Sequence, residues 1–179
     1  ASAEQCFLAI MAWGGMNLDH GRRAWAIRES WIAIIEDLRA ARLTRGEAYG
    51  RFQQMRRDHP GCGMGPAYYT KLIFFAHPAH DGYIMDQWTS LSVNLLVESP
   101  SPLVALTSGQ LRDVRYDRVS DANSWETYER FCSAIDQLAY ALNLGAEQVE
   151  MRMFSQGGKR PGAWRRYVKR HRPPLARGG

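Results

Sequence analysis

The sequence predicts an all-α domain followed by a basic C-terminal segment. Three observations carry that expectation. Apolar residues recur at helical spacing through most of the chain, several predicted helices open on capping residues, and the charge balance changes sharply after residue 150.

Along the chain, Gln5–Met11 is apolar on most sides and reads as a buried helix. Between Arg22 and Arg42, Trp25, Ile32, Ile35 and Leu38 fall at helical spacings with charges between them. Thr44 is a good N-cap, and Glu47 completes a capping box for a third helix striped by Tyr49, Phe52 and Met55. His59-Pro60-Gly61 stops that helix. Three glycines in the five residues 61–65 exclude a helix interior, and Pro66 suits the first position of the next helix, which carries Tyr69, Leu72, Ile73 and Phe75. Asp86 is the expected N-cap of a helix bearing Trp88, Leu91, Leu95 and Leu96. Residues 98–122 are the least regular stretch, consistent with a loop or a short hairpin. Asn123 and Glu126 resemble a capping box for a helix through Phe131, Ile135, Leu138 and Leu142, and a shorter helix covers Ala146 to about Phe154. Trp164 to Arg170 reads as one or two basic helical turns. The expected division is a helical domain over residues 1–155, with its central helix pair at about 45–76, and a basic segment over 156–179.

Composition narrows the function classes. The 179 residues are 45% hydrophobic and 11% aromatic, which suits a globular protein. No apolar run approaches the roughly 20 residues needed to span a bilayer, so no membrane role is expected. The N-terminus lacks the basic start of a secretory signal. Cys6, Cys62 and Cys132 are odd in number and far apart, so they read as thiols in a reducing, cytoplasmic setting. No cysteine or histidine spacing suits zinc or an iron–sulfur cluster, and no metal is expected. Residues 1–150 hold 14 Lys/Arg against 18 Asp/Glu, whereas residues 151–179 hold nine Lys/Arg and no acid. Such a concentrated positive segment points to a polyanion, nucleic acid foremost, and Lys159, Arg160, Arg165, Arg166, Lys169 and Arg170 are the candidate phosphate contacts.

The Gly-rich turn is the central motif. A Gly63-x-Gly65 turn aims backbone N–H groups outward at a helix start, where they and the helix dipole attract phosphate. Gly61, Gly63, Met64 and Gly65 are therefore candidate phosphate contacts. The nucleotide P-loop order is absent, and no strand precedes the turn, which excludes a dinucleotide-binding unit.

Paired with residues 83–88, the turn acquires a resemblance. Gly63-Met64-Gly65-Pro66 looks like the hairpin of helix-hairpin-helix DNA glycosylases, with Pro60-Gly61-Cys62-Gly63 as an overlapping frame. Some 20 residues on, Tyr83-Ile84-Met85-Asp86-Gln87-Trp88 resembles that family's segment bearing an aspartate at a helix start. The stretches 65–72 and 84–88 look especially like small bacterial proteins with the 8-oxoguanine DNA glycosylase fold. That narrower likeness extends to Met11-Ala12-Trp13-Gly14-Gly15 and Phe154-Ser155-Gln156-Gly157-Gly158.

The resemblance implies an enzyme that flips a damaged or modified base out of DNA and cleaves its N-glycosidic bond, with Asp86 as catalytic carboxylate. Bifunctional relatives place a lysine two residues after the second hairpin glycine. The matching positions here are Ala67 and Gly65, so a monofunctional enzyme using water is expected. Lys71, one turn after Ala67, is the alternative nucleophile of a glycosylase/lyase. Trp13, Trp25, Tyr68, Tyr69 and Trp88 are candidates to line the base pocket or fill the gap left in the duplex. Asn17 and Asp19 are candidates to read base edges. The resemblance also allows a monovalent cation on hairpin carbonyls; no other cofactor is expected, and the chain is expected to act as a monomer. Two further readings stand beside this one: a non-catalytic DNA-binding module, and excision of a modified phage base rather than a damaged one.

Overall fold

The computed structural model describes residues 1–97, 99–111, 114–154 and 162–172. These comprise nine helices and one small two-stranded sheet. They pack as two compact units, one of residues 1–84 with 124–126 and one of the remainder.

The first unit holds α1 (Ala3–Trp13), α2 (Leu18–Ala26), α3 (Arg28–Arg39), α4 (Arg45–Asp58) and α5 (Pro66–Ala76). The stretch expected as one helix between Arg22 and Arg42 is broken at Ile27, whose φ of −118° and ψ of 27° leave the helical region. The break lets α2 turn away while Trp31 Nε1 donates back to the Ala24 carbonyl (3.2 Å). Thr44 and Glu47 form the anticipated capping box on α4, and Pro66 opens α5. The stripes on α3, α4 and α5 meet in one core, where Trp31 stacks on Phe52 and Phe52 on Tyr69 (centroids 5.7 and 5.8 Å apart). Trp31, Ile35, Leu38, Tyr49, Phe52, Tyr69 and Leu72 are fully enclosed. Burial of such side chains, worth about 1.5–3 kcal/mol each, supplies the main stabilisation.

The second unit holds α6 (Gln87–Leu96), β1 (Leu106–Leu111), β2 (Val114–Val119), most of α7 (Trp125–Leu142), α8 (Ala146–Met153) and α9 (Ala163–His171). The strands pair antiparallel, Leu106 against Val119, so the irregular 98–122 stretch contains a hairpin and the chain departs from all-α at that point. Asn123 closes the base of the hairpin. Its Oδ1 accepts from Ala105 N, and its Nδ2 donates to the carbonyls of Ala105 and Ser120. Because α7 begins at Trp125, Ser124 stands in the cap position, so the expected Asn123–Glu126 capping box is one residue out of register. Asn94 anchors the other approach to the hairpin through both backbone groups of Val104 (2.8 Å each). Arg165, Arg166, Lys169 and Arg170 lie on α9, which packs on α6 and α8.

Candidate active site

Asp86 has the extended backbone of an N-cap (φ −101°, ψ −177°). Its Oδ1 accepts from the N–H groups of Trp88 (2.7 Å) and Thr89 (3.0 Å), while Thr89 Oγ1 accepts from Asp86 N (3.0 Å). The reciprocal bonds satisfy amides that a helix start otherwise leaves unpaired. They also fix the carboxylate where the helix dipole favours negative charge. Asp86 is 9% exposed, so its geometry is set by protein rather than by solvent.

The residues after Asp86 are tied down in turn. With the Gln87 amide oriented to satisfy both ends, its nitrogen donates to the Asp117 carbonyl (2.7 Å) and its oxygen accepts from Trp88 Nε1 (3.0 Å). Ser92 Oγ donates to the Trp88 carbonyl (2.7 Å) and accepts from Trp164 Nε1 of α9 (2.9 Å). Arg165 Cζ lies 4.5 Å and Lys169 Nζ 5.2 Å from the Trp88 ring centroid. Arg172 pairs with the Asp117 carboxylate. Trp88, a base-pocket candidate from the sequence, is thus engaged by two cations of α9. Of the expected backbone contacts, Arg166, Lys169 and Arg170 are exposed, whereas Arg165 is half-buried and donates to the Phe154 carbonyl (2.6 Å). Lys159 and Arg160 lie outside the described residues.

The Gly-rich turn belongs to the first unit. Gly61 and Gly63 have φ of +81° and +84°, a region that favours glycine. A Cβ on Gly63 would also lie 2.6 Å from the His20 carbonyl oxygen, so this glycine is required by packing against α2 as well as by the turn. Gly65 is the extended N-cap of α5, and no side chain caps that helix. Met64 is buried, and its carbonyl accepts from Arg56 Nη1 and lies 3.7 Å from Cys62 Sγ.

Around Gly14 the first unit gathers three of the expected residues. A Cβ there would lie 3.3 Å from Lys71 Cδ and 3.4 Å from Tyr68 Cε1. Lys71 Nζ sits 4.8 Å from the Tyr68 ring centroid. Burial pushes the Tyr68 hydroxyl above its usual value of 10. Trp13 is 58% exposed and meets Phe75, 39% exposed, edge to face at 5.0 Å. Tyr69, by contrast, is wholly buried against Tyr49 and Phe52, a core position with no surface for a base. Asn17 caps α2 through His20 N (2.9 Å), and Asp19 lies 4.0 Å from Arg22. Trp25 packs on Phe7 and carries Arg28 over its ring.

The second unit also contains an apolar cleft of about 550 Å³ between α6, α7, α8 and α9, lined by Leu96, Leu138, Leu142, Met153 and Trp164 among others. Among the described residues that line it, Arg152 alone is charged. A flipped base needs several hydrogen bonds to its polar edge, which this lining does not offer. Among the described residues no cluster of His, Cys, Asp and Glu suits a metal ion, and no helix is long and apolar enough to cross a membrane.

The Arg165–Trp88–Phe154 arrangement, the Asp117–Arg172 pair and the Arg56–Met64 bond were not anticipated from sequence. The one visible signal was the spacing of Arg165 and Lys169, four apart and so on one face of a helix. Their partner lies some 80 residues away, and sequence does not show it.

No curated protein and no solved structure matches the chain. One family model does, over residues 1–154, under the description "Putative 8-oxoguanine DNA glycosylase OGG-like protein". That range includes the Gly-rich turn, Asp86 and every element through α8, and the chain belongs to this OGG-like family.

Proposed function

We propose that the protein is a monofunctional DNA glycosylase that excises a damaged or modified base, with Asp86 as its catalytic carboxylate. The observation that carries the reading is the Asp86 cap, an almost buried carboxylate fixed at a helix start within the span matched by a glycosylase-type family.

In this mechanism α4, the 59–65 turn and α5 act as the helix-hairpin-helix, with the amides entering α5 directed at a DNA phosphate. Exposed Arg166, Lys169 and Arg170 add backbone contacts. Trp13, the most exposed of the candidate aromatics, fills the gap left by the flipped nucleotide. As the glycosidic bond breaks, its electron pair leaves with the base and positive charge grows on the sugar. The Asp86 carboxylate stabilises that charge. Water then bonds to C1′, and its released proton balances the departing base. The same family supports DNA as the partner, and the chain acts as a monomer. Lys71 contributes electrostatically, held over Tyr68, and a cation on the hairpin carbonyls is not needed for the chemistry.

The substrate lies between 8-oxoguanine, as the family description suggests, and a modified phage base. Incubating the purified protein with DNAs carrying oxidised, alkylated and phage-type modified bases, scored by abasic sites, tests the reading. Abasic sites on one class identify the substrate. Duplex binding with no abasic sites on any of them would instead make the protein a non-catalytic DNA-binding module.

A further inference from the structure

α9 lies beyond the span of the family match, yet it touches the Asp86-bearing helix at its start. The Arg165 guanidinium stands between two rings, 4.5 Å from the Trp88 centroid and 5.6 Å from that of Phe154. Its Nη2 donates to the Phe154 carbonyl, and its Nε is closed off from solvent without a hydrogen-bond partner. A cation placed to bind phosphate would keep its donors open to solvent; this one turns two of its three nitrogens into the protein. Trp88 supplies one of the two amides that hold Asp86 Oδ1. The same residue is fixed at its ring by Arg165 and Lys169, at its indole N–H by Gln87, and at its carbonyl by Ser92, which Trp164 holds.

We propose that Arg165 is a positioning residue for Asp86: wedged between Phe154 and Trp88, it locks the first turn of α6 and thereby the carboxylate. The basic residues of α9 then divide by task. Arg165 sets the rate of base excision, Arg166 and Arg170 set affinity for DNA, and Lys169, exposed over the Trp88 ring, serves both. The catalytic part of this proposal rests on the role given to Asp86 above.

The test compares Arg165→Gln, Arg165→Lys and Arg170→Gln in the full chain. The first measurement is amide hydrogen exchange at Trp88 and Thr89, whose N–H groups donate to Asp86. R165Q should speed that exchange about thirtyfold or more, the size expected for removing a cation–π interaction and a charged hydrogen bond together. R165K should restore part of the protection, and R170Q should exchange as wild type does. The second measurement is affinity for an unmodified fluorescein-labelled duplex, which R170Q lowers and R165Q changes less than about twofold. The third is the excision rate at saturating DNA, on the DNA where wild type forms abasic sites, which R165Q lowers.

Wild-type exchange at Trp88 and Thr89 in R165Q would overturn the proposal. So would a loss of affinity matching R170Q with no change in rate. If R165Q fails to fold, Lys169→Gln, altered at an exposed position over the same ring, is read by exchange at the same two amides. A wild type that forms no abasic sites on any DNA would remove the glycosylase reading, while the exchange data would still decide whether Arg165 holds the Asp86 turn.

Discussion

Gly63 and His20 are in backbone contact: a Cβ on the glycine would stand 2.6 Å from the His20 carbonyl oxygen and 2.9 Å from its Cα. The turn before α5 is therefore seated on α2, and its conformation depends on both partners. Gly61 has nearly the same φ, but nothing lies within 4 Å of its would-be Cβ. Gly61→Ala should cost about 1 kcal/mol from backbone strain alone. Gly63→Ala adds a clash with backbone that cannot rotate away, and should cost about 2–4 kcal/mol. Urea denaturation of the two variants measures the difference; equal costs would remove the contact with α2.

Two carboxylates of the first unit make its stability depend on acid. Hydrogen bonds from Arg42 and then Arg51 hold Asp37 below its usual range, and bonds from the Thr44 backbone and hydroxyl do the same for Glu47. A carboxyl with a lowered folded pKa contributes stability that is present above its unfolded pKa and lost as pH falls through the folded value. Stability should therefore be flat near neutrality and decline as pH drops below about 4.5. Asp37→Asn should flatten that decline. Glu47 is exposed and Asp37 half-buried, so salt should weaken the effect, more for Glu47 than for Asp37.

The exposed cations of α9 should register in the salt dependence of DNA binding. Replacing Arg166 and Arg170 together should weaken duplex affinity and reduce the log–log salt slope by about 0.9 for each phosphate no longer neutralised. Base preference should not change, because backbone contacts carry affinity and not sequence or base identity. An unchanged slope would mean that α9 does not touch phosphate.

Lys71 distinguishes water from amine chemistry. A monofunctional enzyme forms no covalent bond to the sugar, so borohydride should trap no protein–DNA adduct in the wild type. Lys71→Gln should excise at a rate within about tenfold of wild type, a barrier change of at most about 1.4 kcal/mol, because the lysine supplies neither the nucleophile nor the carboxylate. A trapped adduct that vanishes in the Lys71 variant would make the protein a bifunctional lyase.

Much of this architecture was legible because it is local. The Thr44–Glu47 box, Pro66 at a helix start and the Asp86 cap each depend on residues within three or four positions, the range over which capping chemistry acts. The break at Ile27 was not legible, because the apolar spacing runs through it without a proline or glycine. The hairpin was ambiguous for a related reason: only the sequence of residues 113–119 alternates, and weakly, and the hairpin's position relies on Asn94 and Asn123 bonding backbone 10 and 18 residues away. At the candidate site, Asp86 itself was readable from its motif. The surroundings of Trp88 were not, since Arg165 and Lys169 reach it from the far end of the chain. Tyr68 and Tyr69 show the same limit. Adjacent in sequence, one lies half-buried beside Lys71 and the other is sealed in the core.

The central claim is that Asp86 does more than cap α6, and Asp86→Asn separates the two roles. Asparagine keeps an acceptor for the Trp88 and Thr89 amides, so the helix start and the fold should survive. It supplies no negative charge to the sugar as the glycosidic bond breaks, so excision should fall by about 100-fold or more. The measurement is the single-turnover rate of abasic-site formation by D86N on the DNA that wild type processes, beside its melting temperature and duplex affinity. A catalytic Asp86 predicts a near-native melting temperature, near-native affinity and a collapsed rate; excision at the wild-type rate would contradict that role and leave Asp86 a helix cap only.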